Sequence, residues 1–199
     1  MRWLWAVSAG VLVWLGGLGQ ALAAPRSDPG THFLAELEGG VLLTGDAGPA
    51  LRASLGAGGK WKGFPARFYG IGQFGVSSYT ASSPAHAGSE SGAFQDLALG
   101  LRVVLPLVSE LRVFVEGLVG ASLASARYME PGLSTLHARE WLGLALFSGG
   151  LQYRVWYELS VGVRVSLALN PSGLVGVARD AGVHDGGRLA LTGGLTWHF

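Results

Sequence analysis

The chain has 199 residues, enough for one domain, with 14% charged residues, 49% hydrophobic residues and 33 glycines. A soluble domain ordinarily carries about 25% charge, so this chain is short of polar surface. It has no cysteine and a formal net charge of +1. That excludes disulfides, thiolate metal sites and a cysteine nucleophile, and no basic run marks a nucleic-acid footprint.

Met1 and Arg2 open the chain, an uncharged apolar run follows to Leu18, and Ala21-Leu22-Ala23 supplies a small-x-small site before Pro25. This is the layout of a secretory signal peptide. We read residues 1–23 as a cleaved export signal and 24–199 as one mature domain.

From there the apolar residues recur with a period of two, the signature of strands whose side chains alternate between faces. Phe33, Ala35, Leu37, Val41 and Leu43 oppose Glu36, Glu38 and Gly40. Leu51, Ala53, Leu55 and Trp61 oppose Arg52, Ser54 and Lys60. Residues 64–79 are strand-like, with faces left open. Leu97, Leu99, Leu101, Val103 and Leu105 oppose Asp96, Ala98, Gly100 and Arg102. Leu111, Val113, Val115, Val119 and Leu123 oppose Arg112, Phe114, Glu116 and Ser122. Residues 141–155 change phase near Ser148-Gly149-Gly150, as a β-bulge would make them do. Leu159 to Leu169 on odd positions oppose Glu158, Ser160, Arg164 and Ser166, and Leu189 to Phe199 on odd positions oppose Arg188, Thr192, Thr196 and His198. Helices would not tolerate this much interior glycine.

Eight strands follow, joined by alternating short and long connections. Lys62-Gly63, Val108-Ser109 and Trp156-Tyr157 are the tight ones. Ala81–Ala93, Ala126–Arg139 and Pro171–Gly187 are long and polar or Gly/Pro-rich, and the first loop, Gly45–Pro49, is brief. Such asymmetry is that of a transmembrane barrel. Trp61, Phe64, Trp156, Tyr157, Trp197 and Phe199 fall near the short turns, and Tyr79, Phe94, Tyr128 and Trp141 near the long loops, as two interface belts would place them. The Leu/Val rows suit lipid, whereas a soluble barrel's outer surface needs more charge. The small, sparsely charged rows suit the interior of an eight-stranded barrel, just wide enough for side chains. The fold expected is therefore all-β: an eight-stranded antiparallel up-and-down transmembrane β-barrel.

With the ending Leu195-Thr196-Trp197-His198-Phe199, the chain resembles the small eight-stranded outer-membrane barrels of the OmpA/OmpX-like type. The resemblance covers the mature chain and rests on architecture more than on motifs. It implies residence in the bacterial outer membrane, outer-membrane lipids as surroundings, and the barrel-assembly machinery as a partner reading Trp197 and Phe199. No further domain is expected after Phe199.

On this reading Glu36, Glu38, Arg52, Lys60, Asp96, Arg102, Arg112, Glu116, Glu158 and Arg164 point inward. A lone charge in a dry interior is costly. Glu36, Glu38 and Glu116 are therefore expected to pair with Arg102 and Arg164 and plug the lumen. Some small outer-membrane barrels modify lipid A through a His-x-Ser arrangement; none of His32, His86, His137, His184 or His198 has Ser two residues on. His137 with Glu130 and Glu140, and His184 with Asp180 and Asp185, match no trusted metal spacing. Leu55 to Lys60 lacks the hydroxyl residue of a phosphate loop. The expectation is no catalytic residue, no cofactor and no metal. The role read from the sequence is structural or surface-interacting through the extracellular loops. The alternatives are a binder or conduit for a small hydrophobic molecule, suggested by the phase change at 148–150, and a lipid A-modifying enzyme.

Overall fold

The computed structural model describes residues 32–43, 48–60, 64–82, 89–129, 136–170 and 187–199. The leader, Trp61, the Lys62-Gly63 turn and most of 171–187 lie outside these residues, as do His86, Glu130, Asp180, His184 and Asp185.

Eight strands form one closed antiparallel barrel in chain order: β1 (His32–Leu42), β2 (Gly48–Lys60), β3 (Arg67–Ser82), β4 (Ser89–Pro106), β5 (Leu111–Met129), β6 (Leu136–Arg154), β7 (Leu159–Leu169) and β8 (Arg188–His198). Closure pairs β1 with β8, from Leu34↔His198 to Leu42↔Ala190. The final residue joins the seam, with Phe199 N donating to Phe33 O at 2.9 Å and Phe33 N to Phe199 O at 3.1 Å. A closed sheet leaves no unpaired edge, which is the condition for strands in hydrocarbon.

The short turns at 107–110 and 155–158 are tight. Leu107 N and Val108 N both donate to Leu111 O, and Val155 N and Trp156 N both donate to Leu159 O. On the other side β3 to β6 run further than the sequence suggests. Ser89–Ala93, Ala126–Met129 and Leu136–Arg139, expected as loop, are paired strand. The small and polar residues there carry no alternating hydrophobes, because that part of the wall has no apolar face to satisfy. β5 and β6 have 19 residues each against 11 in β1, β7 and β8. A tilted membrane strand needs roughly 9–11, so one side of the wall stands well above any bilayer the barrel spans.

The Leu/Val rows form the exterior. Leu99 is 65% exposed and its register partner Val119 69%. An apolar belt of this extent has no place in water. Leu99→Arg is expected to destabilise the barrel by about 2–4 kcal/mol, the usual effect of a cation on the lipid face near mid-bilayer. Urea unfolding in liposomes reads this, and an unchanged midpoint would contradict a lipid-facing Leu99.

Residues 64–79, whose faces the sequence leaves open, resolve cleanly. Tyr69, Ile71, Gln73, Ser77 and Tyr79 are buried inside, and Phe74 and Val76 face out. Two expectations are corrected. No bulge interrupts β6: its register with β5 runs one-for-one from Leu111↔Tyr153 to Tyr128↔Leu136. Leu142, Leu144 and Leu146 are buried in the lumen in phase with Ser148 and Gln152. The apparent shift arises because the lumen itself changes from apolar to polar along this strand. Tyr79 and Phe94 do not belong to a membrane belt. Both are buried in the lumen, stacked with centroids 5.3 Å apart and against Leu42 and Ala190. Trp141, Trp156, Tyr157 and Phe64 are exposed on the outside.

Candidate functional site: the charged lumen

Strand alternation sends Glu36 and Glu38 from β1, Arg102 from β4, Glu116 from β5 and Arg164 from β7 into one buried layer. Arg102 Nη2 lies 2.7 Å from Glu36 Oε2, and Arg102 Nε donates to Glu116 Oε2 at 2.8 Å. Arg164 Nη1 donates to Glu116 Oε1 at 2.6 Å, Arg164 Nη2 contacts Glu36, and Arg164 Nε stands 3.1 Å from Glu38 Oε1. Each guanidinium thus bridges Glu36 and Glu116 from opposite sides of the barrel.

Neutral groups complete the shell. Thr196 Oγ1 donates to Glu36 Oε1 at 2.9 Å, and Gln152 Nε2 donates to the same oxygen at 3.1 Å. Thr192 Oγ1 donates to Glu38 Oε2 at 3.1 Å. Gln73 Oε1 accepts from Arg164 Nη1 at 3.2 Å. Phe114 closes the layer on the short-turn side, its ring 4.7 Å from the Arg102 guanidinium carbon and 4.9 Å from that of Arg164. Leu34, Tyr69, Val104 and Phe114 belong to one apolar cluster with Ile71, Leu118, Leu144 and Leu146, so hydrocarbon packs around the ionic layer. A buried ionic network of this kind in a low dielectric resists displacement, since moving one member leaves the others as unpaired charge.

A second layer lies toward the long loops. Arg188 Nη2 and Nη1 reach Asp96 at 2.9 and 3.1 Å, Ser122 Oγ donates to Asp96 at 2.6 Å, and the Arg188 guanidinium carbon sits 4.0 Å over Phe94. Arg188 stands in the polar row of β8 in the sequence, yet only the structure shows its partner, 92 positions away. Gln73, Gln152, Thr196 and Phe114 join the site without having been expected there. Inward parity is the available signal for Thr196 and Phe114, whereas Gln73 and Gln152 lie in segments whose faces the sequence does not fix, and neutral side chains give no reason from charge alone to place them beside an ion pair.

Other inward candidates separate from this network. Arg52 faces Glu38 in the register, and its Nη1 has no hydrogen-bond partner among the described residues. Lys60 and Arg112 lie at the short-turn mouth. Glu158 is corrected: it is exposed in the 155–158 connection, because the strand starts only at Leu159. Trp197 faces outward, in register with Ala35 and Leu159. Among the described residues no group of three or more acids or histidines is placed to hold a metal. His137 and Glu140 fall on opposite faces of β6 by parity.

No family model matches the chain, and no curated protein matches it. Solved structures do. Ail, the attachment invasion locus protein of Yersinia pestis, solved alone and in complex with the heparin analogue sucrose octasulfate, superposes with a TM-score of 0.53 at 10% identity, over 86% of this chain and 100% of Ail. A major outer membrane protein from Thermus thermophilus gives 0.53 at 17% identity, over 85% of this chain and 99% of the other. The chain therefore has the fold of the small outer-membrane β-barrels: all-β, eight-stranded, closed and antiparallel. Its apolar exterior and ionic interior make it a barrel of the transmembrane kind.

Proposed function

We propose that the protein is an outer-membrane barrel of the bacterial cell envelope, exported by residues 1–23, with a plugged lumen and a structural or surface-interaction role. The observation that carries this reading is the layer of Glu36, Arg102, Glu116 and Arg164, which spans the interior from β1 to β5 and is packed between apolar side chains. An interior of eight strands has no width to spare. What the barrel offers to partners is then its upper wall, where β3 to β6 rise past the membrane and carry Arg127, His137 and Arg139 on exposed positions. Trp197 and Phe199, at the closing seam, are the residues proposed for recognition by the assembly machinery. The feature that suggested a conduit for a hydrophobic molecule, a break in β6, is absent, since the register there is continuous.

Planar-bilayer recording tests the plug. The wild-type barrel should show no large, steady conductance. A stable open level would contradict the reading. Cell fractionation combined with heat-modifiability on gels tests location and closure together; recovery of a folded barrel in the soluble fraction would overturn the proposed residence.

A further inference from the structure

The lumen divides into a balanced part and an unbalanced part. Above Phe114 four carboxylates, Glu36, Glu38, Asp96 and Glu116, face four guanidinium groups, Arg52, Arg102, Arg164 and Arg188. Below it, at the short-turn mouth, the inward rows end in Lys60, Arg67, Arg112 and Arg154, with no inward carboxylate among the described residues. Among those residues none of these four makes an ion pair. The acids nearest in sequence, Glu110 and Glu158, are exposed in the connecting turns.

These cations share one end of the barrel, at inward positions of β2, β3, β5 and β6. Lys60 and Arg67 are direct register partners on β2 and β3. Arg112 on β5 lies within electrostatic reach of both Arg67 and Arg154. Arg67 and Arg112 also lie within electrostatic range of His32 on β1 and His198 on β8, at the same end of the barrel. Arg67, Arg112 and Arg154 are each half-buried and Lys60 is exposed, so all four are open to solvent in part. Arg154 is further fixed by donating to Ser109 O at 2.7 Å.

Like charges brought together at a low-dielectric opening repel one another, and such a cleft concentrates counter-charge. Guanidinium groups bind phosphate oxygens as forks, through two parallel hydrogen bonds. We propose that the short-turn mouth of the barrel, lined by Lys60, Arg67, Arg112 and Arg154, is a binding site for a multiply charged phosphate oxyanion. The occupant is either a soluble phosphate compound or the headgroup phosphate of a neighbouring lipid, the chemistry being the same.

The test uses the whole barrel, folded in zwitterionic detergent at low ionic strength, with inorganic pyrophosphate as probe and calorimetric titration as readout. Saturable binding near one per barrel is expected, weakened at least tenfold by the pair Arg67→Gln and Arg112→Gln. Arg127→Gln with Arg139→Gln, at the opposite end, should bind as wild type does. Heat-modifiability certifies that each variant is folded. Should the first pair not fold, Lys60→Gln with Arg154→Gln serves in its place and must weaken binding likewise. Absence of saturable binding to wild type, unchanged binding in a folded mouth variant, or equal weakening by the opposite-end pair would each overturn the site. Repeating the titration in nanodiscs identifies the source. If phosphatidylglycerol, but not phosphatidylcholine, suppresses pyrophosphate binding, the site is supported with a lipid headgroup as occupant. If neither lipid does, it is supported with a soluble one. A failed titration leaves the conductance result untouched, so the mouth and the plug stand or fall separately.

Discussion

Arg164→Met is expected to destabilise the folded barrel by about 3–5 kcal/mol, the usual consequence of removing one partner from a buried ionic network. Among the described residues Arg164 alone touches all three carboxylates of the layer, Glu36, Glu38 and Glu116. After its loss Glu36 keeps Arg102, Thr196 and Gln152, and Glu116 keeps Arg102. Glu38 keeps only the Thr192 hydroxyl as a hydrogen-bond donor among the described residues and stands in a buried layer with a net negative charge. The methionine replaces the apolar stem, so the penalty is chiefly electrostatic and little of it is lost packing. A second substitution separates the two contributions: Glu38→Gln in the Arg164→Met background should restore part of the stability, because it removes the carboxylate left worst matched. Equilibrium urea unfolding in detergent or liposomes measures both. An Arg164→Met barrel with the wild-type midpoint, or a double variant less stable than the single one, would show that the layer is not the buried, coupled unit described.

The same layer shows what can be read from sequence. Glu36, Glu38, Arg102, Glu116 and Arg164 each stand on the face opposite a largely apolar outward row. Parity alone sends them inside. What parity does not supply is height. The register of eight pairings decides which inward residues share a level. Thus Arg188 meets Asp96, and Arg112, inward as well, lies beyond the Phe114 floor at the mouth. Hydrophobicity misleads as a mark of the lipid face wherever the lumen is apolar. For that reason Leu142, Leu144 and Leu146 look like a slipped phase in the sequence, and Tyr79 and Phe94 like belt residues. A barrel this narrow fills its interior with hydrocarbon wherever charges are absent, and at those levels the two faces become equally apolar. The small, polar ends of β3 to β6 do not look like strand for the complementary reason: outside a membrane, neither face needs to be hydrophobic.

Gly194→Val should prevent barrel closure altogether, giving no heat-modifiable species and a refolding yield near zero. The seam that joins the first strand to the last is glycine-rich: Gly39 pairs with Gly193, Gly40 with Thr192 and Gly194 with Glu38. A Cβ at Gly194 would stand 2.1 Å from the Leu37 carbonyl oxygen and 2.7 Å from Glu38 Cα, and one at Gly40 would stand 2.0 Å from the Leu191 carbonyl oxygen. Ordinary overpacking, which side chains can relieve, costs about 1–3 kcal/mol; here the obstacle is main chain on the partner strand. Moving β1 away breaks the ladder that closes the barrel and leaves two edges free to pair with other chains. The same Cβ would meet Glu38 Cγ at 2.9 Å, so relief by shifting that side chain would pull it from Arg164. Closure and the ionic layer therefore fail together. Gly117→Ala is the matched control: its Cβ faces outward and meets only the Phe147 ring at 4.0 Å, an ordinary contact. That variant should fold like wild type. A Gly194→Val barrel that shifts on heating as wild type does would show that the seam has slack for a side chain, and that its glycines are there for some reason other than the close approach of the two strands.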